Sequence, residues 1–340
     1  MNAREIVQEP RAPFPYFGGK RNVAQTVWNA LGDCAHYVEP FLGSAAILLA
    51  RPASHKRKLE TVNDKQAMLA NVWRAIRYAP DELAKECAIP VMEVELHARL
   101  AKTKARMYED DFIAWIEGDE KHFDVYHAAN WLYCTCASIG EPWADKGSWS
   151  IVDGHLRQIG NGINRELPRI GDAGVGINRE LPRIGDAGVG INRKLPRIGG
   201  ESHEEIVRQY LRALARRLER VRICCGDWER VVKTDSTIFA GQENAGIFLD
   251  PPYKDGEYLY THECCLDGVQ EWCIKNGQNP RIRIVLAGYE TDGHNVLLEH
   301  GWTVQRGQAG GSGYQKETKA ETRERLWFSP HCVTMQRGLF

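Results

Sequence analysis

The residue types best suited to chemistry form a short run, Asp250-Pro251-Pro252-Tyr253. These residues suit methylation of an exocyclic amino group on a nucleic acid base. Such an amine is a poor nucleophile because its lone pair is delocalised into the ring. The carboxylate of Asp250 and the carbonyl of Pro251 could accept the two N–H bonds and localise that lone pair, while Tyr253 stacks on the base. The alternative is a proline-terminated strand with a surface acid and an aromatic residue.

The position of this run favours a ligand site. An apolar segment, Ala245–Leu249, precedes it and predicts a buried parallel strand. The acid therefore lies at the carboxyl end of a strand, where open α/β sheets bind their ligands. Each proline restricts its own backbone and that of the residue before it, which predicts a stiff loop.

A second motif, at residues 37–45, has the order strand, tight turn and helix start that is typical of nucleotide-binding sheets. The G-x-G-x-x-G pattern of dinucleotide sites is missing, which favours a ligand without a pyrophosphate. Glu39 could accept from the amino group of an amino-acid moiety. The predicted ligand contacts of this motif are Glu39, Pro40, Phe41, Gly43, Ser44 and Ala45.

Two further acids follow predicted strands. In Asn63-Asp64, the carboxylate could accept both hydroxyls of a ribose or cap the following helix. In Asp227-Trp228, the carboxylate could accept from the amine of an adenine with the indole against the ring, or again act as a cap. With Glu39 at a methionine end, this set suits S-adenosylmethionine.

The N-terminal segment Tyr16-Phe17-Gly18-Gly19-Lys20 precedes a predicted helix and adds candidate cofactor contacts. Its two glycines permit close approach of the backbone to a ligand, and its aromatic residues could face a base ring. The spacing of a phosphate-binding P-loop is absent from this segment.

Composition limits the class of protein. The 340 residues are 43% hydrophobic and 26% charged, with a formal net charge of −1, so affinity for nucleic acid must come from local patches. The sequence has no apolar run of membrane-spanning length and a polar N-terminus, which together predict a cytoplasmic protein without a membrane span.

The ten cysteines do not indicate a metal site. No C-x-x-C pair occurs in the sequence, and a zinc site at His262, Cys264, Cys265 and Cys273 is the weaker interpretation. Several cysteines lie in apolar segments, so we expect small, reduced core residues and no metal.

The elements that position these residues alternate between strands and helices. This alternation predicts a Rossmann-like, doubly wound and mainly parallel seven-stranded α/β sheet. The predicted strands are His36–Phe41, Lys58–Asn63, Val221–Gly226, Ala245–Asp250, Arg283–Ala287, Trp302–Gln305 and Arg325–Phe328. The predicted helices are Val23–Leu31, Ala45–Ala50, Gln66–Ala79 and His203–Val221.

The alternation stops between Asp81 and Ser202. This stretch is predicted to be helical through Ser138 and then Gly-rich, and it separates the second and third strands. We therefore expect a catalytic domain at 1–80 and 203–340, and an inserted, mainly helical recognition domain at 81–202 that carries an irregular or β repeat arm.

The insert contains a 14-residue repeat. Residues 162–175 read GINRELPRIGDAGV, 176–189 are identical, and 190–199 repeat the first ten with Lys194 in place of Glu. From Gly154 to Gly200 there are eight basic and four acidic residues. A DNA-contact element and a tolerated duplication of a surface loop are both open. The candidate DNA contacts are Arg165, Arg169, Arg179, Arg183, Arg193, Lys194 and Arg197.

Taken together, the motifs resemble the Dam-like, alpha-group family of DNA adenine-N6 methyltransferases. One departure is Ala45, where many members have a second glycine. The residues that carry the resemblance are Pro15–Lys20, Tyr37–Leu49, Asn63-Asp64, Gly226–Trp228, Asp250–Tyr253, Gly310–Gly313 and Glu324–Pro330.

This resemblance implies methyl transfer from S-adenosylmethionine to adenine N6 in double-stranded DNA, with the adenine flipped into the pocket of Asp250–Tyr253. It also implies that Lys20 contacts the flipped nucleotide or its phosphate, a surface lysine being the alternative. Cytosine-N4 methylation and a catalytically vestigial DNA-binding protein are the competing functions. The sequence leaves open a homodimer, a partner nuclease and the recognised DNA sequence.

Overall fold

The computed structural model describes residues 11–16, 20–56, 59–138, 143, 149–152, 155–158, 202–252, 266–306 and 324–333. The strands of these residues are β1 (His36–Glu39), β2 (Leu59–Asp64), β3 (Trp149–Val152), β4 (His155–Gln158), β5 (Val221–Cys225), β6 (Ala245–Leu249), β7 (Ile282–Tyr289), β8 (Thr303–Arg306) and β9 (Glu324–Phe328). The α-helices are α1 (Ala24–Leu31), α2 (Ala46–Leu49), α3 (Ala67–Tyr78), α4 (Pro80–Cys87), α5 (Glu93–Met107), α6 (Asp110–Gly118), α7 (Val125–Ala137), α8 (His203–Leu218), α9 (Asp235–Phe239) and α10 (Leu266–Gly277).

The chain divides into two compact units. A helical unit comprises Met1–Phe17 and Gln66–Glu219, and a sheet unit comprises Gly18–Lys65 and Arg220–Phe340. This division groups α3 and α8 with the inserted helices, whereas the sequence analysis assigned both to the catalytic domain. Which unit performs which task stays a prediction.

The sheet unit contains a seven-stranded sheet in the order β5-β2-β1-β6-β7-β9-β8. The first five strands in this order are parallel, and β9 runs antiparallel to both of its neighbours. All seven predicted strands are present with small shifts at their ends, which confirms the mixed, mainly parallel α/β sheet.

Strand β6 forms the centre of this sheet because its sequence is apolar throughout. All five of its residues are buried. At Gly246, a Cβ atom would lie 2.7 Å from Cys34 Sγ, so only glycine fits between the strand and its covering layer. On one side, Ile247 and Leu249 join a core cluster with residues of β1 and β7. This packing fixes the position of β6 and therefore of Asp250, which follows it directly.

The helical unit has a core of its own. Helix α3 buries the predicted stripe of Leu69, Val72, Trp73 and Ile76, and it packs against α6, α7 and α8. Pro80 begins α4, as expected for a residue that has no N–H to donate. The helical part through Ser138 is therefore confirmed, while the functional role of this unit is untested.

Strands β3 and β4 form a two-stranded antiparallel hairpin in the Gly-rich part of the insert. The sequence predicts no helix in this part, and the two strands are a feature that it does not predict. The repeats at 162–199, with all seven of their candidate DNA contacts, lie outside the described residues.

Two expectations about composition can be compared with the described residues. Six of their eight cysteines are buried and all eight are free, in agreement with small core residues. No helix in the described ranges is long and apolar enough to cross a membrane.

Candidate active site

The predicted site residues of the sheet unit gather at the carboxyl edge of its parallel strands. Glu39 is the last residue of β1, Asp64 is the last of β2, and Asp250 follows β6 directly. The parallel pairing of β1 with both β2 and β6 brings these three strand ends side by side. Acids that are far apart in the sequence therefore share one edge.

Asn63 connects the loops at this edge. Its Nδ2 donates to the carbonyl of Pro40, at 3.1 Å, and to the carbonyl of Gly226, at 2.9 Å. The loops after β1 and β5 are thus held to the end of β2. Asn63 Oδ1 is buried and has no hydrogen-bond partner among the residues that the structure describes.

Asp64 stabilises the turn after β1. Its Oδ2 accepts from the backbone N–H of Gly43 at 3.0 Å. The N-cap residue of α3 is Gln66, so Asp64 is not the N-cap that the alternative interpretation predicted. The carboxylate instead fixes the glycine turn, and its contact with a ribose stays a prediction.

The turn at residues 43–45 uses left-handed backbone. Gly43 has a φ of 49° and Ala45 has a φ of 55°, and both values favour glycine. This conformation explains why a glycine would suit position 45. Ala45 tolerates it because a methyl group is the smallest side chain with a Cβ, so the strand-turn-helix geometry is retained.

Glu39 is a buried carboxyl group, with 2% of its surface exposed. It accepts a hydrogen bond from the hydroxyl of Tyr37 at 3.0 Å. Burial raises the pKa of the Glu39 carboxyl well above its usual range, and the Tyr37 hydrogen bond only partly opposes this effect. The nearby charge of Asp250 raises the pKa further. The surroundings of Glu39 therefore favour its protonated form.

Lys20 is the first residue of the 3-10 helix Lys20–Val23, and it lies between two carboxylates. Its Nζ is 3.2 Å from Asp250 Oδ1 and 2.9 Å from Glu324 Oε1. Burial opposes its charge, but the two carboxylates outweigh this and raise the pKa of Lys20 above its ordinary value. With 7% exposure, Lys20 is not the surface lysine of the alternative interpretation.

Glu324 is a site residue that the sequence analysis did not identify. It is the first residue of β9 and lies opposite Tyr289, the last residue of β7. An antiparallel strand begins at the edge where its parallel neighbour ends, so Glu324 reaches the same edge as Asp250. Glu324 belongs to the segment Glu324–Pro330 that carries the family resemblance, but only the sheet pairing places the glutamate next to Lys20.

Tyr289 also borders this edge. Its backbone N–H donates to Oδ2 of the buried Asp292 at 2.6 Å, which fixes the end of β7. Burial raises the pKa of the Tyr289 phenol, and the positive charge of Lys20 opposes that rise. The phenol therefore stays protonated at neutral pH next to the Lys20 ion pairs.

Asp227 is a helix cap, which is one of the two roles that the sequence predicts for it. It is the N-cap of the 3-10 helix Trp228–Val231, where its side chain accepts from the N–H of Glu229 at 3.0 Å. Trp228, with 7% exposure, stacks on Phe41 at 6.1 Å between ring centroids and meets Trp272 edge-on. Contact of this pair with an adenine stays a prediction.

Other predicted site residues are described in part or not at all. Pro251 is buried, Pro252 is half-buried, and Ser44 lies partly exposed in the turn. Tyr16 belongs to the helical unit, where its ring packs on Phe14. Outside the described residues lie Phe17, Gly18, Gly19 and Tyr253, as well as His262, Cys264 and Cys265 of the weaker zinc interpretation.

Comparison with known families decides between the functions that this edge could serve. Residues 16–111 match the family model of D12 class N6 adenine-specific DNA methyltransferases. This part of the chain is similar to that methyltransferase family. The match includes the strand-turn-helix motif and Asn63-Asp64, and it ends before Asp250. No curated protein matches the chain.

The match to this family indicates the chemistry of the protein. The protein transfers a methyl group from S-adenosylmethionine to the N6 atom of adenine in DNA. Adenine is therefore the base, and cytosine N4 and the vestigial binding protein are not supported. Within the described ranges, no group of three or more His, Cys, Asp or Glu side chains could hold a metal ion.

Proposed function

We propose that the methyltransferase acts at specific sites in double-stranded DNA, and that the target adenine leaves the duplex to reach the carboxyl edge of the sheet. The observation that carries this proposal is the environment of Asp250. Its carboxylate follows the buried central strand, is paired with the ammonium of Lys20 and keeps about 20% of its surface exposed. A base inside a duplex could not reach such a group, so the adenine must be extruded.

Asp250 and Pro251 would act on the target amine together. The carboxylate accepts one N–H bond of the amine, and the carbonyl of Pro251 accepts the other. Pro252 contributes by its lack of an N–H group, so the chain offers only acceptors at this point. Two acceptors draw the lone pair of N6 out of the ring and direct it at the incoming methyl group.

Charge is the second part of the proposed chemistry. When bound, S-adenosylmethionine supplies a methyl group on a positively charged sulfur, which keeps the bonding electron pair as the methyl group leaves. N6 forms the new bond to carbon and becomes positively charged before it loses a proton. Asp250 stabilises that charge, and its second role is to accept the proton or to pass it to solvent.

The residues at the strand ends fit the cofactor. Glu39 offers a carboxyl group that would ionise against the ammonium of the methionine moiety. Asp64 and the left-handed turn at Gly43 and Ala45 form a close backbone approach beside it. Among the described residues the buried Oδ1 of Asn63 has no hydrogen-bond partner, and a donor on the ligand would remove the free-energy cost of that unsatisfied acceptor. Asp227 and Trp228 complete the proposed set at the adenine.

The 14-residue repeats are the proposed DNA contact of the recognition domain. Each copy presents arginines, which can contact phosphates or guanine edges. Deletion of the second copy, 176–189, leaves both junction sequences intact. We expect weaker or re-targeted DNA binding, a shallower salt dependence and unchanged affinity for S-adenosylmethionine. Unchanged site choice, affinity and salt slope would show that this copy is a tolerated duplication.

Product analysis tests the proposed reaction. The full chain is incubated with duplex DNA and with radiolabelled S-adenosylmethionine, and the digested nucleosides are separated. N6-methyladenine should carry the label, the duplex should be a better substrate than matched single strands, and Asp250→Asn should abolish incorporation. A single-strand preference, or an active Asp250→Asn variant, would overturn the corresponding part of the proposal.

A further inference from the structure

Lys20, Asp250 and Glu324 form an ion cluster whose burial is unusual. The lysine is 7% exposed, whereas the side chains of its two carboxylate partners are 20% and 21% exposed. In most ion pairs of lysine the long side chain is the exposed partner. Here the cation is the most buried member of the cluster, and both acids keep part of their side chains exposed.

The cluster is built from three separate elements of the sheet unit. Lys20 begins a 3-10 helix, Asp250 follows β6, and Glu324 begins β9. The register of the sheet joins the last two, since β6 pairs with β7 and Tyr289 at the end of β7 lies opposite Glu324. Such an arrangement depends on the whole sheet and is absent from any local motif.

The charges of the cluster have a consequence for Asp250. An ammonium at 3.2 Å withdraws charge from the carboxylate and makes it a weaker acceptor for the target amine. Asp250 and Lys20 alone would be neutral as a pair. Glu324, at 2.9 Å from the same ammonium, brings the total charge of the cluster to −1. A net negative charge is what a methylated, positively charged N6 requires.

We propose that Glu324 is a positioning residue that binds Lys20 and offsets its charge, so that Asp250 is held in place yet remains an effective acceptor for the amine. Glu324 acts through Lys20 and need not touch the substrate. This inference rests on the proposed role of Asp250. It predicts a defect in the rate of methyl transfer, with little effect on the binding of DNA or cofactor.

The first test is Glu324→Gln, which keeps the shape of the side chain and removes its charge. We expect kcat to fall by about 10- to 100-fold, while KM for DNA and Kd for S-adenosylmethionine change by less than about twofold. Glu290→Gln is the matched control, because Glu290 is an acid close in the structure that pairs with Arg325. A wild-type kcat in Glu324→Gln, or a defect confined to binding, would overturn the inference.

The second test restores the charge balance. Lys20→Met with Glu324→Gln leaves Asp250 as the single charge of the cluster, so its net charge is again −1. We expect the double variant to be at least as active as Glu324→Gln, and its loss to be smaller than the product of the two single losses. A double variant that is less active than Glu324→Gln would overturn the proposed offset of the Lys20 charge by Glu324. If Lys20→Met by itself does not fold, the comparison of the double variant with Glu324→Gln still stands.

Asp250→Asn distinguishes failure of the Glu324 proposal from failure of the proposed function. If Asp250→Asn is inactive and Glu324→Gln behaves as wild type, only the role of Glu324 is refuted. If Asp250→Asn keeps its turnover, the proposed function of the edge fails, whatever Glu324 does. Thermal unfolding and cofactor binding of each variant confirm that the measured rates belong to folded protein.

Discussion

Glu39 and Asp250 lie at the ends of two neighbouring parallel strands, yet their surroundings are opposite. Glu39 is 2% exposed, and its carboxyl group accepts hydrogen bonds from the neutral hydroxyl of Tyr37 and from the backbone of Leu48. Asp250 is about 20% exposed, and its partner is the ammonium of Lys20. Burial raises the pKa of the Glu39 carboxyl group. Asp250 instead has an ammonium group 3.2 Å from its Oδ1.

The difference indicates how one sheet edge can perform two tasks. A carboxyl group that is neutral until a cation arrives is suited to binding an ammonium, because the ligand supplies the missing charge. A carboxylate that is already paired is suited to a reacting amine, because it must be ionised before the substrate enters. Two acids with environments this different are the usual mark of divided roles in a catalytic site.

The largest expected effect comes from Asp250→Asn. The amide keeps the size of the side chain but offers an N–H group where the target amine needs an acceptor. We expect kcat to fall by at least about 100-fold, with the Kd for S-adenosylmethionine changed by less than about threefold. Radiolabelled transfer and calorimetry measure the two quantities. A variant that kept more than a tenth of the wild-type turnover would remove Asp250 from the reaction.

Glu39→Gln should have the opposite profile. Losing the charged partner of the ammonium should weaken S-adenosylmethionine by about 10- to 100-fold. In the wild type, the cofactor must displace the proton of Glu39, so affinity should fall as pH falls, and binding should release a proton. Calorimetry in two buffers of different ionisation enthalpy counts that proton. Equal proton release by both proteins would assign it to another group.

The stability of the cofactor-free protein provides a control for Glu39. Its folded pKa is raised above its unfolded value, so the folded state keeps a proton that the unfolded state loses as pH rises above 4.5. The carboxyl group therefore costs stability at neutral pH, and Glu39→Gln should unfold at a higher temperature. Below pH 4.5 the difference should disappear. A less stable variant at neutral pH would mean that Glu39 is ionised without ligand.

The sequence predicted the two acids and their edge, but not the environments that distinguish them. Strand ends could be predicted because apolar runs such as Ala245–Leu249 stop at polar residues. The cation next to Asp250 could not, because Lys20 is far away along the chain and its burial depends on tertiary packing. Glu324 requires the register of an antiparallel pair, which no local pattern determines.

Asp64 and Asp227 show a second limit of sequence-based prediction. An acid after a strand could cap a helix or bind a ligand, and local residue types are the same in both cases. The structure shows Asp227 as a cap and Asp64 as the acceptor for Gly43. The hydrogen bond from Gly43 to Asp64 could not be predicted, because it links two loops that only the pairing of β1 with β2 brings together.

The smallest expected effect concerns the turn that leads from Glu39 to α2. Ala45 is buried with a φ of 55°, and glycine would relieve about 1–2 kcal/mol of backbone strain. The gain is offset by the lost burial of a methyl group and by a more flexible unfolded chain, so Ala45→Gly should change the free energy of unfolding by less than about 1 kcal/mol. Ala45→Val, with a branched side chain in the same conformation, should cost at least about 2 kcal/mol. Denaturant unfolding measures the free energy of unfolding of both variants.

The affinity of Ala45→Gly for S-adenosylmethionine should stay within about threefold of wild type. A large loss of affinity in Ala45→Gly would mean that the methyl group of Ala45 itself contacts the cofactor, and that the charge of Glu39 is not the main determinant of binding at this strand end.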